Sequence, residues 1–388
     1  MRSRYQEWIY RWEHRLTTRD TNRVVRPFDW GLDWIGRWPG ATTPATAKTA
    51  VAVGAGVERV QPPANGGDVR QFFFELNEKL VANSDEFFSY RTPTDFHLER
   101  LHIRMCAAGS GAKATVESTS ARASGEFLRF TSPVTTPYAE NNVANARWFP
   151  ARGRRAVVVL PQWNADALSH NGLCRIFNLL GIAALRLSMP YHDVRMPAGL
   201  ERADYAVSAN MGRTIDAARQ AICEIRACLD WLETQGYTEL GVMGTSLGSC
   251  YAFIASAHDR RLKINAFNHA STYFGDVVWT GQSTRHVRQS VEPELNQAGL
   301  RRALLSISPM AYFDKFARWP KKSLVIYTTY DLTFLPEFSR EIVGEFARRQ
   351  LNAIIRALPC GHYTLGELPY KYLDAWHLCR FMATAFSG

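Results

Sequence analysis

Gly244-Thr245-Ser246-Leu247-Gly248 sets a serine between two glycines, after an apolar run at 240–243 and before a helical run at 249–257. That is the context of a nucleophile elbow. A strand-to-helix turn this sharp strains the serine backbone, and glycine on both sides lets strand and helix approach. The start of the following helix also presents a positive dipole end to a developing oxyanion. A serine hydroxyl needs a base within reach and a group that orients the base. Beside such an elbow the expected chain order is serine, acid, histidine, with the acid after a late strand and the histidine after the last. Asp331 follows the run 324–328, and His362, in Cys360-Gly361-His362-Tyr363, follows the run 352–357. The candidate catalytic set is therefore Ser246, Asp331 and His362.

Competitors are few. Asp276 follows a strand-like run at 264–268, and Glu337 lies just beyond Asp331. An Asp at a strand end is usually a turn or capping residue, so either is a rival acid. Of the other histidines, His377 falls inside a helix, His170 precedes an Asn-Gly turn, and His269 at a strand end suits a core role. An oxyanion hole needs two N–H donors about 3 Å from the developing charge. Leu247 supplies one from its backbone. The loop Pro161-Gln162-Trp163-Asn164 supplies the other, with Trp163 the first candidate and Gln162 the second. Pro161 has no N–H, and the choice between the two stays open.

The elements around these residues alternate. Strand-like runs fall at 127–130, 143–149, 156–160, 182–187, 240–243, 264–268, 323–328 and 352–357. Helical patterns cover 165–180, a long segment ending at Gly236, and 368–386. Strand alternating with helix at this spacing predicts an α/β fold with a doubly wound, mostly parallel sheet. Residues 271–310 interrupt the alternation and would form a small cap. Its start is apolar, with Tyr273, Phe274, Val277, Val278 and Trp279, and its middle is basic, with Arg285, His286 and Arg288.

Before residue 124 the composition changes. Residues 1–39 are rich in Arg and Trp, and Tyr5, Trp8, Ile9, Trp12 and Leu16 form one apolar helical stripe opposite Arg4, Arg11 and Arg15. Such a helix packs on its own domain or lies at a membrane interface. Small residues, Gly and Pro dominate 40–68, which reads as a flexible linker. An accessory segment follows at 69–123, with a flexible loop near 107–123, and the main domain runs over 124–388.

The 388 residues are 46% hydrophobic and 21% charged, enough for a core and against wholesale disorder. The net charge is +10, yet only 8 of the 46 basic residues are Lys, and the Arg are dispersed. Without an RNP, zinc-finger or P-loop pattern, nucleic acid is not an expected partner. Seven Cys without a C-x-x-C pair suit buried thiols in a reducing compartment. No secretory h-region follows Met1, so the expected location is cytoplasmic, with weak membrane-surface association through residues 1–38 as a further expectation. No H-E-x-x-H, zinc spacing or G-x-G-x-x-G after a strand occurs, so neither a metal nor an organic cofactor is implied.

The elbow, the Ser-Asp-His order and the alternating strands resemble the alpha/beta-hydrolase superfamily across 124–388. A closer resemblance is to the abhydrolase domain-containing protein 18 branch, through Pro190-Tyr191, Arg195 and Pro197, then Gly236-Tyr237, Leu240-Gly241 and the elbow. This implies serine-hydrolase chemistry and leaves the substrate open. The expectation is a cofactor-independent hydrolase of carboxylic esters, small or lipid-like. A peptidase or amidase would use the same three residues, and a non-catalytic binding protein would keep only the fold.

Overall fold

The computed structural model describes residues 3–39, 68–105, 114–116 and 124–387. The linker expected at 40–68 lies outside them except Asp68, and so does most of the loop near 107–123. Ten strands form one sheet: β1 (His97–Met105), β2 (Ala114–Val116), β3 (Ser124–Thr131), β4 (Val143–Phe149), β5 (Arg155–Leu160), β6 (Ala183–Leu187), β7 (Glu239–Thr245), β8 (Leu262–Asn268), β9 (Lys322–Thr328) and β10 (Ala353–Leu358). Their order is β10-β9-β8-β7-β5-β6-β4-β3-β1-β2. From β10 to β6 every pairing is parallel, and from β6 to β2 every pairing is antiparallel. The sheet is mixed and mostly parallel, as expected. It also crosses the boundary expected at residue 124, because β1 pairs with β3 from His97↔Arg129 to His102↔Ser124.

The main helices are α1 (Arg4–Thr18), α2 (Val69–Ala82), α3 (Asn171–Leu179), α4 (Met211–Thr234), α5 (Leu247–His258), α6 (Phe274–Thr280), α7 (Arg285–Val291), α8 (Gln297–Ala303), α9 (Pro336–Arg348) and α10 (Tyr370–Ser387). They cover both faces of the sheet. Ala156, Val158 and Leu160 pack into a core shared with α2, α4, α5 and α9. Val157 and Val159, pointing the other way, join Ile9 of α1, Cys174 and Phe177 of α3, and Phe381 and Met382 of α10. Two buried faces explain why β5 reads as an uninterrupted apolar run. The described cysteines are free thiols, and no described helix is long and apolar enough to cross a membrane.

Two helices depart from their sequence pattern. The helix expected at 165–180 begins only at Asn171. Asp166 accepts N–H bonds from Leu168 and Ser169 at 3.0 and 2.7 Å, an Asx-type turn that competes with helix. Helix α1 turns Ile9, Glu13 and Thr17 into the body of the protein and leaves Trp8 half exposed. Its buried stripe is thus rotated from the aromatic one, because a buried carboxylate on it finds partners described below. The segment after β8 folds as α6, α7 and α8, with α6 packed on α8. Trp279 there is only partly buried and lies under the Arg288 guanidinium, 4.7 Å from its ring centre.

Candidate active site

Ser246 sits between β7 and α5 at φ 57°, ψ −117°, a conformation that few non-glycine residues adopt. Its N–H donates to Asn268 O at 2.7 Å and fixes the elbow to β8. The flanking glycines are sterically required: a Cβ on Gly244 would stand 2.1 Å from Gly248 O, and one on Gly248 would stand 2.6 Å from Pro161 O. Strand, turn and helix therefore touch through backbone alone.

The structure brings the three sequence candidates together. His362 Nε2 lies 2.9 Å from Ser246 Oγ, and His362 Nδ1 lies 2.9 Å from Asp331 Oδ2. Asp331 is itself held. Its Oδ1 accepts the N–H groups of Thr333 and Phe334, both at 2.7 Å, and its Oδ2 accepts the Thr328 hydroxyl at 3.0 Å. Phe334 stacks on the His362 ring at 5.0 Å between centres. The rival acids are elsewhere employed. Buried Asp276 pairs with Arg301 and accepts from Gln297, while Glu337 is exposed in the first turn of α9.

The charges support proton transfer. Burial alone would raise the Asp331 pKa, but the neighbouring His362 and His269 outweigh it and hold the carboxyl well below the ordinary range. Burial alone would lower the His362 pKa, but the Asp331 charge and hydrogen bond, joined by Glu13, hold it above the ordinary histidine value. Ser246 therefore faces a basic imidazole whose partner stays anionic.

Several neighbours carry roles that the sequence does not reveal. His269 was readable only as a core histidine, yet its Nδ1 is 3.3 Å from Asp331 Oδ2 and its ring centre 4.1 Å from that of His362. Burial pushes its pKa down to about 4, so it stays neutral near pH 7. His269, Asp331 and His362 also form the one grouping among the described residues with ligand atoms close enough for a metal. Both nitrogens of His362 are already committed to Ser246 and Asp331, which favours a proton relay. Glu13, from the far end of the chain, reaches the backbone of Tyr363 and Thr364. His170 bonds the Thr245 hydroxyl at 2.9 Å, one residue before the serine.

The loop after β5 is clamped from one side. Asn164 N–H donates to His192 Nε2 at 3.1 Å, while His192 Nδ1 lies 2.8 Å from Pro190 O. Asn164 Oδ1 accepts from Ala203 N, and the Trp163 indole donates to Ala203 O. Ala165 N–H returns to Gln162 O. The amides of Asn164 and Ala165 are thus committed, and Gln162 and Trp163 both border the cavity beside Ser246. Leu247, also on that wall, is the first residue of α5, where backbone N–H groups lack helical partners.

Above these groups opens a cavity of about 760 Å³ that includes Ser246 and His362 in its wall. Phe274, Val277 and Val278 of α6, Cys250 of α5, Leu173 of α3 and Leu378 of α10 make much of it apolar. Trp279, expected with the first group, is not among its lining residues.

An elbow serine at the end of β7, a histidine after β10, an acid after β9 and helices on both faces of the sheet complete the pattern. The fold is that of the alpha/beta hydrolases. The family model for Alpha/beta hydrolase domain containing 18 matches residues 176–293, a stretch that holds Arg195 and the elbow but neither Asp331 nor His362. The resemblance seen in the sequence is thereby borne out. Acetyl xylan esterase from Paenibacillus sp. R4 is similar with a TM-score of 0.52 at 13% identity, over 82% of this chain and 96% of that one. Acetyl xylan esterase 1 from Thermoanaerobacterium sp. JW/SL YS485 is similar with a TM-score of 0.51 at 12% identity, over 92% and 99%. The acylaminoacyl peptidase of Pyrococcus horikoshii gives 0.50 at 12% identity, over 67% of this chain and 41% of that one. At such identities the likeness is one of fold. No curated protein matches the sequence.

Proposed function

We propose that this chain is a serine hydrolase of carboxylic esters that works through an acyl-enzyme on Ser246. The observation that carries the reading is the continuous Ser246–His362–Asp331 hydrogen-bond chain, 2.9 Å at each link, opening into a cavity with a substantial apolar wall. In this reading His362 Nε2 takes the hydroxyl proton as Oγ bonds to the ester carbonyl carbon. Asp331 keeps the proton on Nδ1 and stabilises the imidazolium. The carbonyl oxygen becomes an oxyanion, met by the Leu247 N–H and by Trp163 or Gln162 from the β5 loop. His362 then returns its proton to the departing alkoxide. Water, deprotonated by the same nitrogen, attacks the acyl carbon; the bond to Ser246 Oγ then breaks, Oγ takes the proton back from His362, and the acid leaves. Nucleophile, base and orienting acid all come from side chains.

The cavity favours a medium or long acyl group, and this is where a lipid-like substrate enters the proposal. About 760 Å³ is ample for a chain of many carbons, and Leu168, Ile176 and Tyr372 remain exposed on its border beside Lys371. Val278→Phe narrows the wall from α6 at a residue that packs into the main core, apart from the Val277–Phe334 cluster that backs His362. On a panel of p-nitrophenyl esters it is expected to lower kcat/KM for dodecanoate roughly 10-fold or more, at about 1–3 kcal/mol of lost pocket complementarity, and for acetate within twofold. Equal losses on both would contradict an acyl-binding role for α6. Peptide amides in the same panel test the peptidase reading, to which the Pyrococcus peptidase gives only a fold-level likeness. Strong amide turnover with negligible ester turnover would favour it.

A further inference from the structure

We propose that Glu13, delivered by the N-terminal helix α1, is a positioning residue of the hydrolytic site that holds the loop carrying His362. The inference rests on the hydrolase reading and adds a residue some 350 positions away from the histidine it serves. The Glu13 carboxylate is fully buried. It accepts Tyr363 N–H at 2.9 and 3.1 Å and Thr364 N–H at 2.9 Å, the two amides that directly follow His362. On the other side of the histidine, a Cβ on Gly361 would stand 2.4 Å from Glu13 Cδ and Oε2. The loop can close on the carboxylate only because residue 361 has no side chain.

The rest of α1 grips the same region. Tyr5 donates its hydroxyl to Pro359 O, just upstream in the histidine loop, and lies 2.7 Å from the Tyr370 hydroxyl. Tyr10 meets Tyr330 edge-on at 5.3 Å, immediately before Asp331. Thr17 reaches Gln282 at 2.9 Å. One helix therefore contacts the loop of the base and the loop of its acid together. Away from water, the carboxylate and the two backbone amides have each other as partners, so removing the carboxylate leaves both amides unpaired.

The charge has a second consequence. The titratable groups facing His362 are Asp331 after β9, His269 after β8, Glu13 on α1, and Cys360 and Tyr363 on its own loop, with Asp20, Arg23 and Arg202 acting on Tyr363. Burial and the nearby Asp331 push the Glu13 pKa up, and the Tyr363 and Thr364 amides and His362 oppose them. In its anionic form Glu13 favours the imidazolium. Removing that charge lowers the His362 pKa, and a base needed in its neutral form then becomes active at lower pH.

The experiment is a kcat and KM pH profile from pH 5 to 10 on an activated ester, comparing wild type with Glu13→Gln, which keeps the size and one acceptor oxygen. The expected result is a fall in kcat of roughly 10- to 100-fold from the displaced imidazole, KM within twofold, and an acid limb moved to lower pH. Glu13→Ala is expected to lose more kcat than Glu13→Gln. A folded Glu13→Gln with unchanged kcat and acid limb overturns the assignment while leaving the hydrolase reading intact. A wild type that hydrolyses no ester counts against the hydrolase reading itself. Amide hydrogen exchange on the wild type is independent of any variant: Tyr363 and Thr364 are expected to be strongly protected, and exchange at the rate of open loop amides overturns the proposal.

Discussion

Asp331→Asn is expected to lower kcat about 10⁴-fold with little change in KM, equivalent to about 5 kcal/mol of transition-state stabilisation. The asparagine keeps the side-chain shape. It offers an amide hydrogen where Asp331 Oδ2 now accepts from His362 Nδ1 at 2.9 Å. The imidazole would then carry its proton on Nε2, facing Ser246 Oγ, and have no lone pair for the hydroxyl proton. The pH profile provides a second readout. With Asp331 in place, His362 titrates above the ordinary histidine value despite its burial, so wild-type kcat/KM rises through a pH above that value as the base becomes neutral. Loss of the anion leaves burial dominant, and the limb moves down. Steady-state kinetics on an activated ester decide it: a loss below tenfold would remove Asp331 from the role of orienting acid.

The second large effect is on stability. Arg195 and Glu224 are both fully buried, and the guanidinium makes two bonds to the carboxylate, at 2.6 and 2.7 Å. Arg195 also donates to Ser188 O and Asn141 O at 2.8 and 2.7 Å, and Glu224 accepts the Ser132 hydroxyl at 2.6 Å. This pair ties the loop after β6 to α4 and to the turn before β4. Arg195→Ala leaves an unpaired carboxylate inside the protein and is expected to cost about 3–5 kcal/mol. Urea unfolding followed by far-UV circular dichroism measures it. The double variant Arg195→Leu/Glu224→Leu, which removes both charges, is expected to recover much of that loss. A single-variant cost under about 1 kcal/mol would contradict the account of this pair. Arg195 belongs to the Pro-Tyr…Arg-x-Pro stretch behind the family resemblance, and here its role is architectural.

What the sequence shows depends on how local the cause is. The elbow is a five-residue pattern whose glycines are dictated by contacts within the turn and with the adjoining β5, so Ser246 was legible. Asp331 and His362 were legible because strand order places them, each just past a strand that reads clearly. Glu13 was not, because its partners lie some 350 residues away and nothing in Trp12-Glu13-His14 marks a buried acid. His269 was half legible: its place at the end of β8 was clear, and its contact with Asp331 was not. The helix expected from 165 failed on a local competitor, the Asp166 turn, while β1 joined the main sheet through long-range pairing that periodicity does not reveal. The second oxyanion donor stays between Trp163 and Gln162, since the clamp on the loop acts through Asn164 and the Trp163 indole.

The most direct measurement is covalent labelling by a fluorophosphonate probe, read by mass spectrometry of the intact protein and its peptides. Wild type is expected to take up one probe, on Ser246, at a rate that rises with pH as His362 loses its proton, and Ser246→Ala is expected to take up none. Labelling that persists in Ser246→Ala, or a folded wild type that accepts neither this probe nor an activated ester, would contradict an activated nucleophile at the elbow.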